Sequence, residues 1–375
     1  MKYNKWYEKD INTSLLGFGC MRFSSHSGKV DEEKAIKLVR KAYEAGVNYF
    51  DTAYVYLDGQ SEPVLGKAMS IYPRESYYLA TKYSFWSLTD PAEIDAMIDK
   101  QLANLQTNYI DFYLIHAMSK DRFEHMKKYH ILDIVKKWKE QGKIRHIGFS
   151  FHDGYDTFIE ILNYFDWEFC QIQFNYMDYP IQQGEAGYLE LVKRHIPIIV
   201  MEPLKGGKLC NFNKTIANMF YEYSDASLTS WALRWVASQK GVMTMLSGMN
   251  EETQLDENLE IANNFIPLTE EENNLVKKVS EALRKVEVVG CTGCKYCMPC
   301  PKGVDIPRNL RLLNDYEMYQ SLGDVKWVYS MIKNNNADAA KCVNCKACVS
   351  KCPQHIQIPD YLLKVRELVN DCKWY

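Results

Sequence analysis

The chain has 375 residues, 47% of them hydrophobic and 25% charged, with a formal net charge of -3. That balance suits a globular protein with a sizeable core and excludes a disordered one. The near-neutral charge offers no basic surface for nucleic acid, and no apolar run reaches the roughly 18 residues that membrane insertion needs.

The opening stretch, MKYNKWYEKDIN, lacks the apolar core of a secretory leader, so a cytoplasmic protein is expected. Length favours one large domain plus a small one, at a prior of about 150 residues per domain. From residue 14 to 265, short β-branched or aromatic runs alternate with amphipathic stretches, the pattern of a parallel α/β architecture. Eight runs read as strands: LLGFGCM, VNYFDTA, YYLATKY, IDFYLIHA, IRHIGFS, FCQIQFNY, IPIIVME and MTMLSG. Each is followed by a plausible helix, and in TDPAEI the start is explicit: Asp90 caps, Pro91 fits the first turn and Glu93 can close a capping box. Eight βα units over about 250 residues predict a (β/α)8 TIM barrel. The runner-up is an open doubly wound sheet, but no Gly-rich dinucleotide fingerprint opens an early helix. The barrel is expected over residues 1–268. A linking helix, capped by Thr269 and Glu272, is expected over 269–288, and a small, mainly helical domain over 289–375.

Chemistry in such a barrel sits at the carboxyl ends of the strands. Polar residues there are Asp51, Lys82, His116, Ser150, Gln171, Asn175 and Glu202, with Tyr56 in the loop after Asp51. Each alone has an ordinary role: Asp51 a turn cap, Lys82 a solvated strand end, His116 a core histidine. Together they can do ketone chemistry, the phenol protonating an alkoxide, an ammonium held by a carboxylate lowering its pKa, and the imidazole orienting the carbonyl. Phe85 and Trp86 are read either as an apolar wall of the pocket or as packing.

The segments GFGCMRF, FDTAYVYLDGQSEPVLGKAM, ATKYSFW, DFYLIHA, IRHIGFSFH, QIQFNY and MEPLKGG, in this order over about residues 1 to 265, resemble the aldo-keto reductases. The resemblance implies Tyr56 as general acid, tuned by Lys82 and Asp51, with His116 placing the carbonyl of a small carbonyl or alcohol substrate. It implies NADH or NADPH as cofactor, with Ser150 and Gln171 at the nicotinamide carboxamide and Leu204 near the pyrophosphate. Met201 stands where the family usually stacks an aromatic ring, and Gln254 and Asn258 are further implied cofactor contacts. Members that prefer NADPH carry basic residues after the eighth strand. Here SGMNEETQLDEN has none and four acidic residues before Asn258, so preference for NADH, or weak holding of NADPH, is expected.

Eight of the twelve cysteines lie in two motifs after residue 290, CTGCKYCMPCP and CVNCKACVSKCP. Clustering of this kind suits metal better than scattered disulfides; Cys20, Cys170, Cys210 and Cys372 are read as incidental thiols. A thiolate quartet can hold zinc or iron. The second motif fits C-x2-C-x2-C-x3-C-P, the bacterial ferredoxin run for 4Fe-4S clusters, and the first departs by one residue before Cys300. Both motifs are trailed by similar phrases, GVDIP and HIQIP, which reads as an internal duplication. Since the fourth cysteine of each run ligates the other cluster in two-cluster ferredoxins, one cluster is expected on Cys291, Cys294, Cys297 and Cys352. The other is expected on Cys342, Cys345, Cys348 and Cys300.

The whole chain thus resembles an aldo-keto reductase fused to a ferredoxin-like dicluster domain. Three functions fit: a carbonyl reductase with auxiliary clusters, an electron-transfer protein using the barrel as a platform and meeting an external electron-transfer partner, and an iron-sulfur redox sensor. Turnover of an aldehyde by cluster-free protein favours the first, failure to bind any nicotinamide the second, and loss of partner binding on cluster oxidation the third.

Overall fold

The computed structural model describes residues 1–7, 10–286, 288–291 and 293–371; Cys372 lies outside the described residues. Eight parallel strands close a barrel in sequence order: β1 (Leu16–Gly19), β2 (Tyr49–Asp51), β3 (Tyr78–Tyr83), β4 (Ile110–Met118), β5 (Ile144–Phe151), β6 (Phe169–Gln173), β7 (Ile198–Met201) and β8 (Val242–Ser247). The last pairs with the first, with Leu246 beside Gly17. All eight expected strands are present, and buried almost without interruption, as strands covered on both faces should be. Several are shorter than the apolar runs that announced them. The sixth stops at Gln173 because Asn175 Oδ1 accepts the N–H groups of Met177 and Asp178, turning the chain.

An antiparallel pair of short strands, Tyr3–Lys5 with Asn12–Ser14, precedes the barrel. It delivers Trp6, fully buried, against Phe112 with ring centroids 4.6 Å apart, and the indole N–H donates to Thr13 Oγ1 at 2.9 Å. With Tyr49, Phe112, Phe169 and Ile199 this forms an aromatic-rich core cluster.

One helix contact bears on the site. A Cβ on Gly66 would stand 2.3 Å from the Asn104 carbonyl oxygen, so glycine is what lets helix Ser61–Met69 press on helix Pro91–Leu105. Buried Glu62 then accepts from Thr81 Oγ1 at 2.7 Å, Gln101 Nε2 at 2.8 Å and Asn104 Nδ2 at 3.0 Å. Gln101 also donates to the Lys82 carbonyl at 3.2 Å, which ties β3 down at the residue that carries the ammonium.

The chain divides into two compact units, Met1–Gly206 with Thr229–Glu270, and Gly207–Leu228 with the residues from Glu271 onward. The second unit therefore takes a segment from the middle of the barrel sequence, within the 1–268 span expected for the barrel alone. Within this unit the Asn213 N–H donates to the Met318 carbonyl at 3.1 Å and Lys208 pairs with Asp315 at 3.4 Å. The expected linking helix spans Glu270–Arg284 and stops short of Val288. The N–H groups of Val288 and Val289 are taken by Asn314 Oδ1 at 3.1 and 2.9 Å, which draws the chain out of the helix.

The two cysteine motifs are each followed by a helix that opens on Ile-Pro, Ile306–Tyr319 and Ile358–Asp371. Val304 with Ile306, and Ile356 with Ile358, are buried equivalents in one core, and six of the motif cysteines are partly buried against it or within it. The region between the motifs is helical as expected, in two pieces, Ile306–Tyr319 and Leu322–Asn334, broken at left-handed Gln320.

Candidate functional site

Asp51 ends β2 and Lys82 lies near the end of β3, and both side chains are almost wholly buried. The Lys82 ammonium donates to Asp51 Oδ1 at 2.6 Å and to the Thr52 carbonyl at 2.7 Å. It also lies 4.8 Å from the centroid of the Tyr56 ring. Burial works against the ammonium, but Asp51 and Tyr56 outweigh it and hold its pKa above the ordinary lysine value. For the Tyr56 phenol burial is again the largest influence and raises the pKa, partly offset by Lys82. The phenol is therefore protonated at neutral pH, the state that can donate a proton.

His116, near the end of β4, has its ring 5.7 Å from the Tyr56 ring and nearly perpendicular to it. Its Nδ1 is 2.6 Å from Ser84 Oγ. Burial, then the cations Lys82 and Arg122 and the neighbouring His152, push its pKa well below the usual histidine range. A neutral imidazole whose Nδ1 is engaged by a hydroxyl leaves Nε2 for a ligand. Ser84 was not singled out from sequence, although it lies two residues after Lys82, the interval that returns a strand to the same face. Of the two aromatics that follow, Phe85 packs on Tyr54 and Tyr83. Trp86 lies 5.3 Å from the His116 ring.

Ser150 and Gln171 are cross-strand partners on β5 and β6. Ser150 Oγ accepts the Ala117 N–H at 2.6 Å, which leaves its own proton to donate. Gln171 Nε2 donates to Asp51 Oδ2 at 3.4 Å, while Gln171 Oε1 is buried with no partner among the described residues. Asp51, Lys82, Tyr56, His116 and Gln171 are thus brought into one connected group. Met201 ends β7 and is half-buried, as is Leu204 in the following turn. Asn175 and Glu202, also noted as polar strand ends, are spent elsewhere: Asn175 Nδ2 donates to Asp178 and to the Glu202 carbonyl, and the Glu202 carboxylate meets Arg22 at 3.2 Å.

After β8, Asn258 Nδ2 donates to Ser247 Oγ at 2.8 Å, and Gln254 Oε1 accepts the Asn250 and Glu251 N–H groups in a capping box. The acidic run there is not a bare repulsive field, and that corrects the reading of the segment in isolation. Helix Glu32–Glu44 brings up Lys34 to Glu251, Lys37 to Glu252, and Lys41 to both Glu252 and Asp256, at 2.5 to 3.0 Å. Hydrogen bonds from Lys41 and Lys37 hold the Glu252 carboxyl down at about 2. These lysines lie more than 200 residues away in sequence, so no local pattern could have announced them.

In the second unit, one small cavity is lined by Cys291, Cys294, Cys297 and Cys352, with Pro307, Leu310, Ile356 and Ile358 among its walls. Burial, then the neighbouring Cys291, Cys348 and Cys294, push the Cys297 thiol up to about 11. Burial also raises Cys348, followed by Cys342, Cys300 and Cys345. Cys352 of the second motif thus lines the same cavity as three cysteines of the first. Of the remaining thiols, Cys20 and Cys170 are buried and Cys210 is half-buried.

A closed eight-stranded barrel carrying a buried lysine–aspartate pair beside a tyrosine and a neutral histidine defines an oxidoreductase class. The chain belongs to the aldo/keto reductase family, which it matches over residues 15–281, and residues 290–357 match a 4Fe-4S dicluster domain. Over 308 residues it is 26% identical to the uncharacterized oxidoreductase YqkF of Bacillus subtilis strain 168, covering 72% of this chain and 94% of that protein. It is 24% identical to the NADH-specific methylglyoxal reductase of Escherichia coli K12, covering 74% of this chain and 97% of that one. Among solved structures, the holo form of aldo-keto reductase AKR11C1 from Bacillus halodurans superposes with a TM-score of 0.63 at 25% identity, over 74% of this chain and 96% of that one. Among the described residues no helix is long and apolar enough to cross a membrane.

Proposed function

We propose that the protein is a nicotinamide-dependent reductase of small carbonyl compounds, or in reverse an alcohol dehydrogenase, whose C-terminal unit carries two 4Fe-4S clusters. The observation that carries the reading is the 2.6 Å Lys82–Asp51 pair lying 4.8 Å from the Tyr56 ring beside a neutral His116. A nicotinamide carboxamide suits the polar atoms left over at β5 and β6: the Ser150 hydroxyl can donate to its oxygen, and unpartnered Gln171 Oε1 can accept from its amide. When bound, the reduced nicotinamide supplies a hydride to the carbonyl carbon. Tyr56 gives its proton to the carbonyl oxygen, Lys82 stabilises the phenolate that remains, and Asp51 keeps the ammonium charged and in place. His116 Nε2 fixes the carbonyl oxygen within reach of the phenol. The first test is an anaerobic titration of cluster-loaded protein with NADH and NADPH followed by 4-nitrobenzaldehyde. Consumption of nicotinamide supports the reading. Failure of both cofactors to bind would leave the barrel as a platform for the clusters.

NADH is the expected partner. Lys34, Lys37 and Lys41 are each already paired with carboxylates around the start of helix Glu252–Asn263, so a 2'-phosphate there would have to displace an existing ion pair to gain one. The E. coli relative is described as NADH-specific. NADH should bind about tenfold more tightly than NADPH by equilibrium fluorescence titration, the scale of one charge-assisted hydrogen bond; tighter binding of NADPH would overturn this.

For the cysteines, the apolar-walled cavity between Cys291, Cys294, Cys297 and Cys352 supports a cluster held across the two motifs, with Cys342, Cys345, Cys348 and Cys300 as the second set. The C-x2-C-x2-C-x3-C-P spacing from Cys342 to Pro353 favours iron-sulfur over zinc, and in such runs the fourth cysteine serves the other cluster. Cys352→Ala should therefore remove the cluster of the first motif and leave that of the second, halving iron per chain by colorimetric assay. Loss of the second-motif cluster instead would mean that each motif serves its own cluster.

A further inference from the structure

We propose that Arg122 anchors an anionic group on the substrate, so that the barrel takes carbonyl compounds that also carry a carboxylate or a phosphate. This deepens the reductase reading above and rests on it. Arg122 sits in the first turn of helix Lys120–Lys128, directly after β4, the strand that carries His116. Its guanidinium carbon lies 3.8 Å from the centroid of the Trp86 ring, and that ring lies 5.3 Å from His116. Trp86 therefore bridges the cation and the imidazole that holds the reacting carbonyl. One guanidinium nitrogen donates to the Ala117 carbonyl at 2.8 Å. The stack and this bond fix the plane of the fork and leave most of its five donors free.

The group is half-buried, yet no carboxylate among the described residues pairs with it. The Asp153 carboxylate accepts the Lys120 and Gly154 N–H groups at 2.8 and 2.7 Å, and Glu202 pairs with Arg22. His152, whose pKa is lowered first by burial, also feels Arg122. An unpaired, partly desolvated guanidinium beside a site for a carbonyl is matched by a bidentate oxyanion, which supplies the missing charge and satisfies two donors together. Stacking on Trp86 alone accounts for where Arg122 lies but offers its free donors no partner.

The test compares 4-carboxybenzaldehyde with its neutral analogue methyl 4-formylbenzoate on cluster-loaded wild-type protein and the Arg122→Met and Arg122→Lys variants. Arg122→Met should raise KM for the acid by about 10- to 100-fold, the loss expected for hydrogen bonds to a charged group, with kcat unchanged and the ester unaffected. Arg122→Lys should recover part of the loss, because it keeps the charge and forfeits the fork. Unchanged kinetics for the acid, or equal losses on acid and ester, would overturn the proposal. Calorimetric titration with benzoate gives a readout independent of turnover: binding should be weakened to the same degree in Arg122→Met, and undiminished binding would overturn the assignment. Should the wild type reduce neither aldehyde, the reductase reading fails, and the benzoate titration still decides the anion site.

Discussion

Replacing Tyr56 by Phe should lower kcat for aldehyde reduction by about 10^2 to 10^4, the range for removing a positioned general acid. Nicotinamide affinity should be unchanged, because the phenol is the only group removed and the Lys82–Asp51 pair remains. The same residue predicts a pH profile. Burial raises the phenol above its ordinary value against the pull of Lys82. The reduction rate should therefore hold a plateau through neutral pH and fall only once the pH passes the usual tyrosine range, with that limb lost in Tyr56→Phe. A variant that keeps wild-type kcat would remove Tyr56 from the chemistry and pass the proton to another donor.

Lys82→Met should have the largest effect on stability. The ammonium and Asp51 are both nearly sealed from solvent, and removing one partner of a buried pair costs about 3 to 5 kcal/mol because the other charge is stranded. The pH dependence has a definite sign. Burial already raises the Asp51 carboxyl, with Lys82 the strongest influence opposing it. Without Lys82 the folded-state pKa rises further, so the folded variant holds a proton that the unfolded chain releases. That contribution is fully present below the unfolded carboxylate pKa of about 3.9 and is lost as pH rises through the folded value. Urea melts of Lys82→Met should therefore show less destabilisation at pH 5 than at pH 8, and Lys82→Met with Asp51→Asn should be more stable at pH 8 than the single variant. A pH-independent loss would mean that Asp51 finds another cation or water.

The eight strands were legible because strands covered on both faces must be apolar end to end, and such runs stand out in sequence. Their carboxyl ends could then be listed directly, which is how Asp51, Lys82 and His116 were found. The supporting contacts were harder to see. Ser84 has no local feature marking it as the partner of His116, and Glu62 reads as one more charge on a helix until Gly66 lets that helix sink against its neighbour. The acidic segment after β8 misled in isolation, because its neutralising lysines come from the first barrel helix and are close only once the barrel closes. The cysteine motifs were the clearest feature of all, since thiol spacing reflects a metal cluster more directly than it reflects the fold around it.

The segment Gly207–Leu228 has a consequence for how the chain can be taken apart and how it is made. Because Asn213 and Lys208 bond to Met318 and Asp315, a piece of the second unit leaves the ribosome before β8 and waits for partners synthesised much later. A single cut after residue 286 would strand that piece, and a fragment beginning at 271 would lack it. The iron-sulfur unit is thus threaded through the barrel's coding order and is not simply appended to its end, so separating the two units takes three cuts in the gene.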